Sequence, residues 1–349
     1  MAEEGTLRIA VLTSGGDAPG MNAAVRAVAR TAFLRRWKVM GIEAGYRGLL
    51  EGRMHPLDNR MVGGIRHRGG TVLGTARSRE FTTPEGLERA VKALSQAGVE
   101  GLALIGGNGS LTGGLRLAEL GVKVVGIPAT IDNDVRCTDM AIGVDTALNT
   151  ALEAIDRIKD TATSHQRAHV IEVMGRDCGY LALISAIAGG AEAVLVPEFK
   201  PRPEEIMRAF RRSWEQGKPH FIVVAAEGAK LSAEYIHAYI NETDAEFESR
   251  LTVLGHVQRG GSPSAFDRVL ASRMGTAAVK ALAEGESGVM TGLRGRQMKL
   301  IPLKEAVGKP PLLDPAMYEL AETLTGLPGE NWQTRSQGAE RLRASKDKM

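Results

Sequence analysis

Short apolar, β-branched runs alternate with segments of helical periodicity, and this alternation constrains the fold more than any other feature of the chain. Leu7 to Leu12 reads as a strand, and Met21, Ala24, Val25, Val28 and Ala32 then fall at helical spacing. The pattern recurs in apolar runs at Gly101 to Ile105, Val124 to Ile127, Val170 to Met174, Ala193 to Val196 and Phe221 to Ala225. A helix carrying Leu148, Leu152, Ile155 and Ile158 lies among them. Strands that read as continuous apolar runs, each followed by a helix, predict an α/β protein with mainly parallel sheets covered on both faces. No fixed-period repeat or low-complexity linker cuts the chain in two, and pattern alone places a boundary near residue 144. After Pro328 the sequence turns polar and charged, which predicts a mobile tail over 329–349.

The length of 349 residues, with 43% hydrophobic and 24% charged residues, suits two domains with sizeable cores. A net charge of +3 and an aromatic content of 4% give neither a basic face nor a stacking platform, so nucleic acid is not an expected partner. Phosphorylated metabolites remain plausible ones. No apolar run approaches the roughly 20 residues that span a bilayer. The start Met1-Ala2-Glu3-Glu4 lacks a basic and apolar targeting segment, so the expected location is cytoplasmic, away from membranes. Cys137 and Cys178 have no CxxC spacing and are expected to be free thiols.

Three groups of residues carry the chemistry. The strand at Val124 runs into Thr130-Ile131-Asp132-Asn133-Asp134, which sets two carboxylates at i and i+2 where a parallel strand ends. Such a pair can hold a proton, a magnesium ion or one of each, although Asp and Asn are also ordinary turn residues. Gly15-Gly16-Asp17-Ala18-Pro19-Gly20-Met21-Asn22 joins the first strand to the first helix, and Gly106 to Gly114 leads from a later strand into a helix. Both read as loops whose backbone N–H groups cradle phosphate, with a structural turn as the competing reading for the first. The first does not follow G-x-G-x-x-G, and the chain has no Walker A pattern. The third group is basic: Arg77, Arg167, Arg176, Arg250, His256 and Arg259, several beside glycines that let a guanidinium fork meet a phosphate.

Taken in order, Gly15 to Asn22, Thr130 to Asp134, Ser164 to Arg167, Met174 to Gly179 and Leu254 to Pro263 resemble the bacterial 6-phosphofructokinases, with the match running from Ile9 to about Ser272. The resemblance implies two similar three-layer α/β domains with the active site in the cleft between them. The large nucleotide-binding domain would comprise 1–143 and 258–308, and the smaller sugar-phosphate domain 144–257 and 309–328. It implies ATP and fructose 6-phosphate as substrates, Mg2+ as cofactor, and a homotetramer in which neighbouring subunits complete the sugar site. By the same resemblance Asp132 is the base for the 1-hydroxyl, Asp134 its partner near magnesium, and Thr130 a substrate contact. Gly16, Arg77, Gly107, Asn108, Gly109, Ser110 and Gly113 correspond to nucleotide contacts, with Asn108 also at a metal position. Arg176 corresponds to a residue that spans both substrates. Met174, Gly175, Glu227, His256 and Arg259 correspond to sugar-phosphate contacts, and Arg167 and Arg250 to arginines reaching in from a neighbour.

The chain departs from that pattern at three places. Nucleotide-dependent members carry aspartate where Asn108 stands, and a neutral amide is a weaker partner for a hard cation. Ser78 follows Arg77 where an aromatic residue is usual. In the family's purine-nucleotide and phosphoenolpyruvate effector site, Arg26, Arg30, Arg157, Glu192 and Lys218 match, whereas Asn59, Gln216 and Pro219 replace cationic residues. Two alternatives stay open. Pyrophosphate-dependent members typically carry Asp at the position of Gly109 and Lys at that of Ala129, and a catalytically weak sugar-phosphate-binding paralogue is suggested by Asn108.

Overall fold

The computed structural model describes residues 7–199, 201–243 and 248–325; the tail expected at 329–349 lies outside them. Its strands are β1 Arg8–Ser14, β2 Lys38–Ile42, β3 Met54–Pro56, β4 Gly101–Gly106, β5 Val124–Pro128 and β6 Ala168–Val173. They continue as β7 Ala193–Leu195, β8 Phe221–Ala226, β9 Ser249–Val253, β10 Val289–Arg294 and β11 Gln297–Pro302. The chain forms two compact units. One runs through Thr146 and resumes over Arg259–Pro310; the other comprises Ala147–Gln258 and resumes at Pro311.

The first unit holds a seven-stranded sheet in the order β11-β10-β5-β4-β1-β2-β3. The strands from β10 to β2 pair in parallel, and β11 and β3 close the two edges antiparallel. All of β4 and β5 is buried, as is β1 after its first residue, because helices cover both faces of these central strands. One face packs Leu12, Ile42, Leu102, Leu104, Leu111 and Leu117 into a cluster with Met290 and Leu303. From β1 the chain crosses through the helix Met21–Leu34 to β2 on one side, whereas β4 crosses through the helix Asn108–Glu119 to β5 on the other. The strand order therefore reverses between β1 and β4, and ligands of open α/β sheets bind beyond the carboxyl ends of strands at such a point.

The second unit is built on a four-stranded, all-parallel sheet in the order β7-β8-β6-β9. Successive residues alternate between two apolar layers. Ile171, Val173, Ile222 and Val224 pack with Ala182, Ala186 and Tyr318, while Val170, Phe221, Val223 and Ala225 pack with Phe210 and Ile236.

One local expectation is corrected. Most of the Gly106 to Gly114 stretch is helical, since the helix begins at Asn108 and Asn108 to Gly114 form its first two turns. Close packing explains why glycines are used there. A Cβ at Gly113 would come 2.8 Å from both the Phe81 ring and the Tyr46 hydroxyl, two aromatics stacked at 3.7 Å, and one at Gly114 would press on Leu104.

Candidate active site

The parallel ladder brings three chain segments out of the first sheet at one level. Ser14 pairs with Gly106 and Gly106 with Pro128, so the residues that follow β1, β4 and β5 leave side by side. The backbones are in close register there: Ala129 donates to the Gly106 carbonyl at 3.0 Å, and a Cβ on Gly107 would lie 3.4 Å from the Thr130 Cβ. Gly15 and Gly16 follow β1, the amides of Asn108, Gly109 and Ser110 begin the helix after β4, and Thr130 to Asp134 follow β5. Exposed amides at a helix N-terminus favour anions.

After β5 the chain alternates. Ile131, Asn133 and Val135 are buried, whereas Thr130, Asp132 and Asp134 are half-buried, so the hydroxyl and both carboxylates share the outer face. Asn133 does the structural work of the turn. It adopts a positive φ of 50°, donates to the Asp139 carbonyl at 3.1 Å and accepts from the Ala141 amide at 3.0 Å. The Thr130 amide donates to the Ile142 carbonyl at 3.0 Å, and the Thr130 hydroxyl accepts from the Asp132 amide at 3.2 Å. The acids are thus presented by a segment fixed along its length.

Around this centre the other first-unit candidates are placed as follows. Asn108 uses both ends of its amide on the backbone of one residue, donating to the Gly308 carbonyl and accepting from the Gly308 amide at 3.0 Å. An aspartate there would lose the donor. Gly109 faces open space, Ser110 is buried with its carbonyl accepting from the Tyr46 hydroxyl at 2.6 Å, and Gly113 faces the aromatic pair instead of the loop surface. Exposed Arg77 follows a segment tied to the first strand: Thr75 donates to the Gly15 carbonyl at 2.8 Å and Thr13 to the Gly74 carbonyl at 2.9 Å. Asn22, fully buried, donates to the Arg68 and Gly69 carbonyls and accepts from the Val72 amide. Arg259 lies over the first loop, where a Cβ on Gly16 would collide with its guanidinium. The expected sugar-phosphate contact is therefore in touch with an expected nucleotide-phosphate contact.

In the second unit, Val173 pairs with Ala226 and Glu172 with Val253, so Met174-Gly175-Arg176, Glu227 and His256 all follow the carboxyl ends of adjacent strands. Arg176, Glu227 and His256 are exposed, and Met174 and Gly175 are buried beneath them. Glu227 donates its amide to the Val173 carbonyl at 2.8 Å, and Gly228 donates to that of Gly175 at 3.2 Å. Sequence reasoning missed Gln258, which is fully buried and accepts from the Met174 amide at 2.8 Å, and Glu172 within β6. Burial, with the charges of Glu234 and Glu227, raises the Glu172 carboxyl above its ordinary range. Gln258 lies within the Leu254 to Pro263 motif, but its contact with Met174 has no local signal, and Glu172 has none either, because each acts through neighbours brought in by the sheet.

Arg167 and Arg250 occupy the other edge. Arg167 precedes β6, and Arg250 pairs with His169 near the amino ends of the strands. At ~3.3 Å per residue, the length of β6 puts roughly 20 Å between them and the Met174 edge. Both arginines pair with Glu248, Arg167 at 2.6 Å, and burial together with Arg167, Arg250 and His165 lowers the pKa of His169.

Of the effector candidates, Lys218 meets Glu192 at 3.4 Å beside a cavity of about 40 Å³, lined also by Ala191 and Leu324, and Glu192 accepts from the Ile222 amide at 2.7 Å. Arg157 pairs within its own helix with Glu153, and Arg30 donates to Asn59, with Arg26 one turn earlier on the helix Met21–Leu34.

A Cβ on Gly228 would overlap the Arg176 carbonyl oxygen and crowd the Arg176 backbone. Gly228→Ala is expected to cost roughly 1–3 kcal/mol, as overpacking does, and so to lower the denaturation midpoint. An unchanged midpoint would show that the loop gives way freely.

A family model described as Phosphofructokinase matches residues 8–282. Over 318 residues the chain is 51% identical to the ATP-dependent 6-phosphofructokinase of Bacillus pumilus, covering 91% of this chain and 99% of that protein. The protein of the same name from Thermotoga neapolitana is 50% identical over 319 residues, again covering 91% and 99%. Among solved structures, Pichia pastoris phosphofructokinase in the T-state is similar with a TM-score of 0.84 and 35% identity. That match covers 97% of this chain, which spans 39% of the longer Pichia chain. With the family model matching most of its length, the chain belongs to the phosphofructokinase family.

Proposed function

We propose that this chain transfers the γ-phosphoryl group of ATP to the 1-hydroxyl of fructose 6-phosphate, giving fructose 1,6-bisphosphate and ADP in cytoplasmic glycolysis. The observation that carries the reading is the shared level at which Gly15, Gly107 and Ala129 leave the sheet, since it sets two backbone anion cradles beside Thr130, Asp132 and Asp134. Phosphoryl transfer asks little covalent chemistry of a protein and much positioning and charge neutralisation. In this reading the loop amides and Arg77 hold the nucleotide phosphates, Asp132 takes the hydroxyl proton, Thr130 orients the acceptor and Arg176 neutralises the transferring group. Met174, Gly175, Glu227, His256 and Arg259 bind the sugar phosphate.

Magnesium, which the family implies, fits this donor set. It is commonly bound through one or two carboxylates plus substrate phosphates and water. Among the described residues no group of three or more His, Cys, Asp or Glu converges, so Asp134 with the ATP phosphates would hold it. Once bound it supplies charge neutralisation on the phosphates. The Asn108 amide, already engaged by Gly308, serves the nucleotide loop foremost by keeping its shape.

A pyrophosphate donor is disfavoured because a Cβ on Gly109 would meet nothing within 4 Å, leaving room where an Asp would intrude, and Ala129 offers no cation. Retention of Asp132 and Arg176 counts against a weak paralogue. The deciding assay is turnover of fructose 6-phosphate with ATP, GTP and pyrophosphate. ATP is expected to support it and pyrophosphate not, and equal or faster turnover with pyrophosphate would overturn the assignment.

Asp132→Ala is expected to lower kcat by about 100-fold or more with little change in the KM for fructose 6-phosphate, because a positioned base contributes on the order of 10² to 10⁴. Retention of half the wild-type turnover would remove Asp132 from that role.

The distance of Arg167 and Arg250 from the Met174 edge supports their serving the sugar phosphate of a neighbouring copy in a homotetramer. An Arg250→Ala chain mixed with an Asp132→Ala chain is then expected to regain activity in hybrid assemblies, because some sites combine an intact Asp132 with an intact Arg250. A fully active monomer on sedimentation would refute the shared site. For the effector site, the match of Arg26, Arg30, Arg157, Glu192 and Lys218 to the family's pattern supports binding of a nucleotide or phosphoenolpyruvate, for which the cavity of about 40 Å³ beside Lys218 is by itself too small.

A further inference from the structure

Asp267 is fully buried and belongs to none of the groups above. It lies in the first turn of the helix Ala265–Ala283, whose N-cap is Ser264. One carboxylate oxygen accepts from the Gly143 amide at 2.9 Å; the other accepts from the Thr146 amide at 2.9 Å and the Thr146 hydroxyl at 2.5 Å. The Thr146 hydroxyl in turn accepts from the Ser264 amide at 2.9 Å, and the Ser264 hydroxyl donates to Asp145 at 2.5 Å. A buried carboxylate is costly unless its lone pairs are used, and here three donors use them. Two of the three are main-chain amides at and just before the start of the helix Val144–His165.

The chain segment held by this carboxylate is the one against which the reacting loops are aligned. Gly143 follows Ile142, whose amide donates to the Pro128 carbonyl at 3.0 Å and whose carbonyl accepts from the Thr130 amide at 3.0 Å. Ala129 and Ile142 form an isolated parallel bridge. The Thr130 hydroxyl then accepts from the Asp132 amide. The Gly15 to Asn22 loop rests on the same place from its own side. A Cβ on Gly143 would come 2.7 Å from the Ala18 Cβ, and one on Gly20 would come 2.7 Å from Ile142 and 3.6 Å from the Asp267 Cβ. Both glycines hold φ near +105°, a region that L side chains rarely adopt, so the contact cannot be relieved by substitution at either.

We propose that Asp267 is a positioning residue for phosphoryl transfer: by fixing Gly143 and Thr146 it sets the common backbone on which the base-bearing segment after β5 and the phosphate loop after β1 are aligned. The proposal rests on the phosphofructokinase reading given above. It acts through placement alone, since Asp267 is fully buried and its carboxylate is taken up by Gly143 and Thr146. Misplacing reacting groups by about 1 Å can cost on the order of 100-fold in rate.

The test begins with wild-type turnover of fructose 6-phosphate and Mg-ATP, whose absence would sink the functional reading and not this inference. Asp267→Asn keeps the size of the side chain but turns an NH₂ toward donors. Assayed well below its own unfolding midpoint, it is expected to lose about tenfold or more in kcat while both KM values stay within about threefold. A lower midpoint with wild-type kcat, or a change confined to KM, would make the carboxylate merely structural and overturn the proposal. Should Asp267→Asn fail to fold, Thr146→Val and Thr146→Ser decide. The first removes the hydroxyl and is expected to lower kcat about threefold or more, whereas the second retains it and should restore the rate. Equal kcat for these two folded variants would overturn the proposal as well.

Discussion

The parallel ladder through β1, β4 and β5 is the constraint on which the remaining arrangement depends. Its register is set by apolar strands that are buried on both faces, where a slip of one residue would exchange the two side-chain sets. Because Ser14, Gly106 and Pro128 end level, the ladder brings backbone N–H groups from two turns and side chains from a third to one edge, where long-range side-chain contacts such as those of Asp267 and Asn108 then fix them. The chemistry asked of the site is mostly the placement of negative charge. Main-chain amides held by a sheet do this at little entropic cost, because the backbone was ordered when the sheet formed.

The second sheet divides its labour between two edges. Its carboxyl edge gathers Met174, Gly175, Arg176, Glu227 and His256, whereas its amino edge carries Arg167, Arg250 and the buried His169. Two arginines cluster on the amino edge, and Glu248 answers both of them within this chain. Any anion reaching that edge must replace Glu248 as their partner, and an exposed ion pair of this kind is worth only about 0–1 kcal/mol.

The central strands were legible in the sequence because a strand covered on both faces must be apolar throughout, as in Gly101 to Ile105 and Phe221 to Ala225. Apart from the edge strand β7, read as the apolar run Ala193 to Val196, the edge and near-edge strands were not. β2 is short and includes Gly41, β9 begins at Ser249 and Arg250, and β11 is largely exposed and mixes apolar with polar residues, whereas β10 is buried from Met290 to Leu293 but has its apolar run interrupted by Thr291 and Gly292. Of the candidate site, the carboxylate spacing at Asp132 and Asp134 and the glycine-rich turns could be read directly, because each is local in the chain. The helical start at Asn108 could not, since Gly113 answers to the rings of Tyr46 and Phe81 and Gly114 to Leu104. Nor could Asp267, whose partners lie more than a hundred residues away and whose role comes from burial. Asn108 is an intermediate case: the sequence marks it as a departure from its relatives, and only the fold pairs it with Gly308.

In the proposed reaction the amides following β1 and β4 cradle the nucleotide phosphates beside Asp132. Amide hydrogen exchange, followed with and without a non-hydrolysable Mg-ATP analogue, tests it most directly. Slowed exchange is expected at Gly15 to Asn22 and at Asn108 to Ser110 on binding. Slowed exchange elsewhere, with both of these segments unchanged, would contradict it.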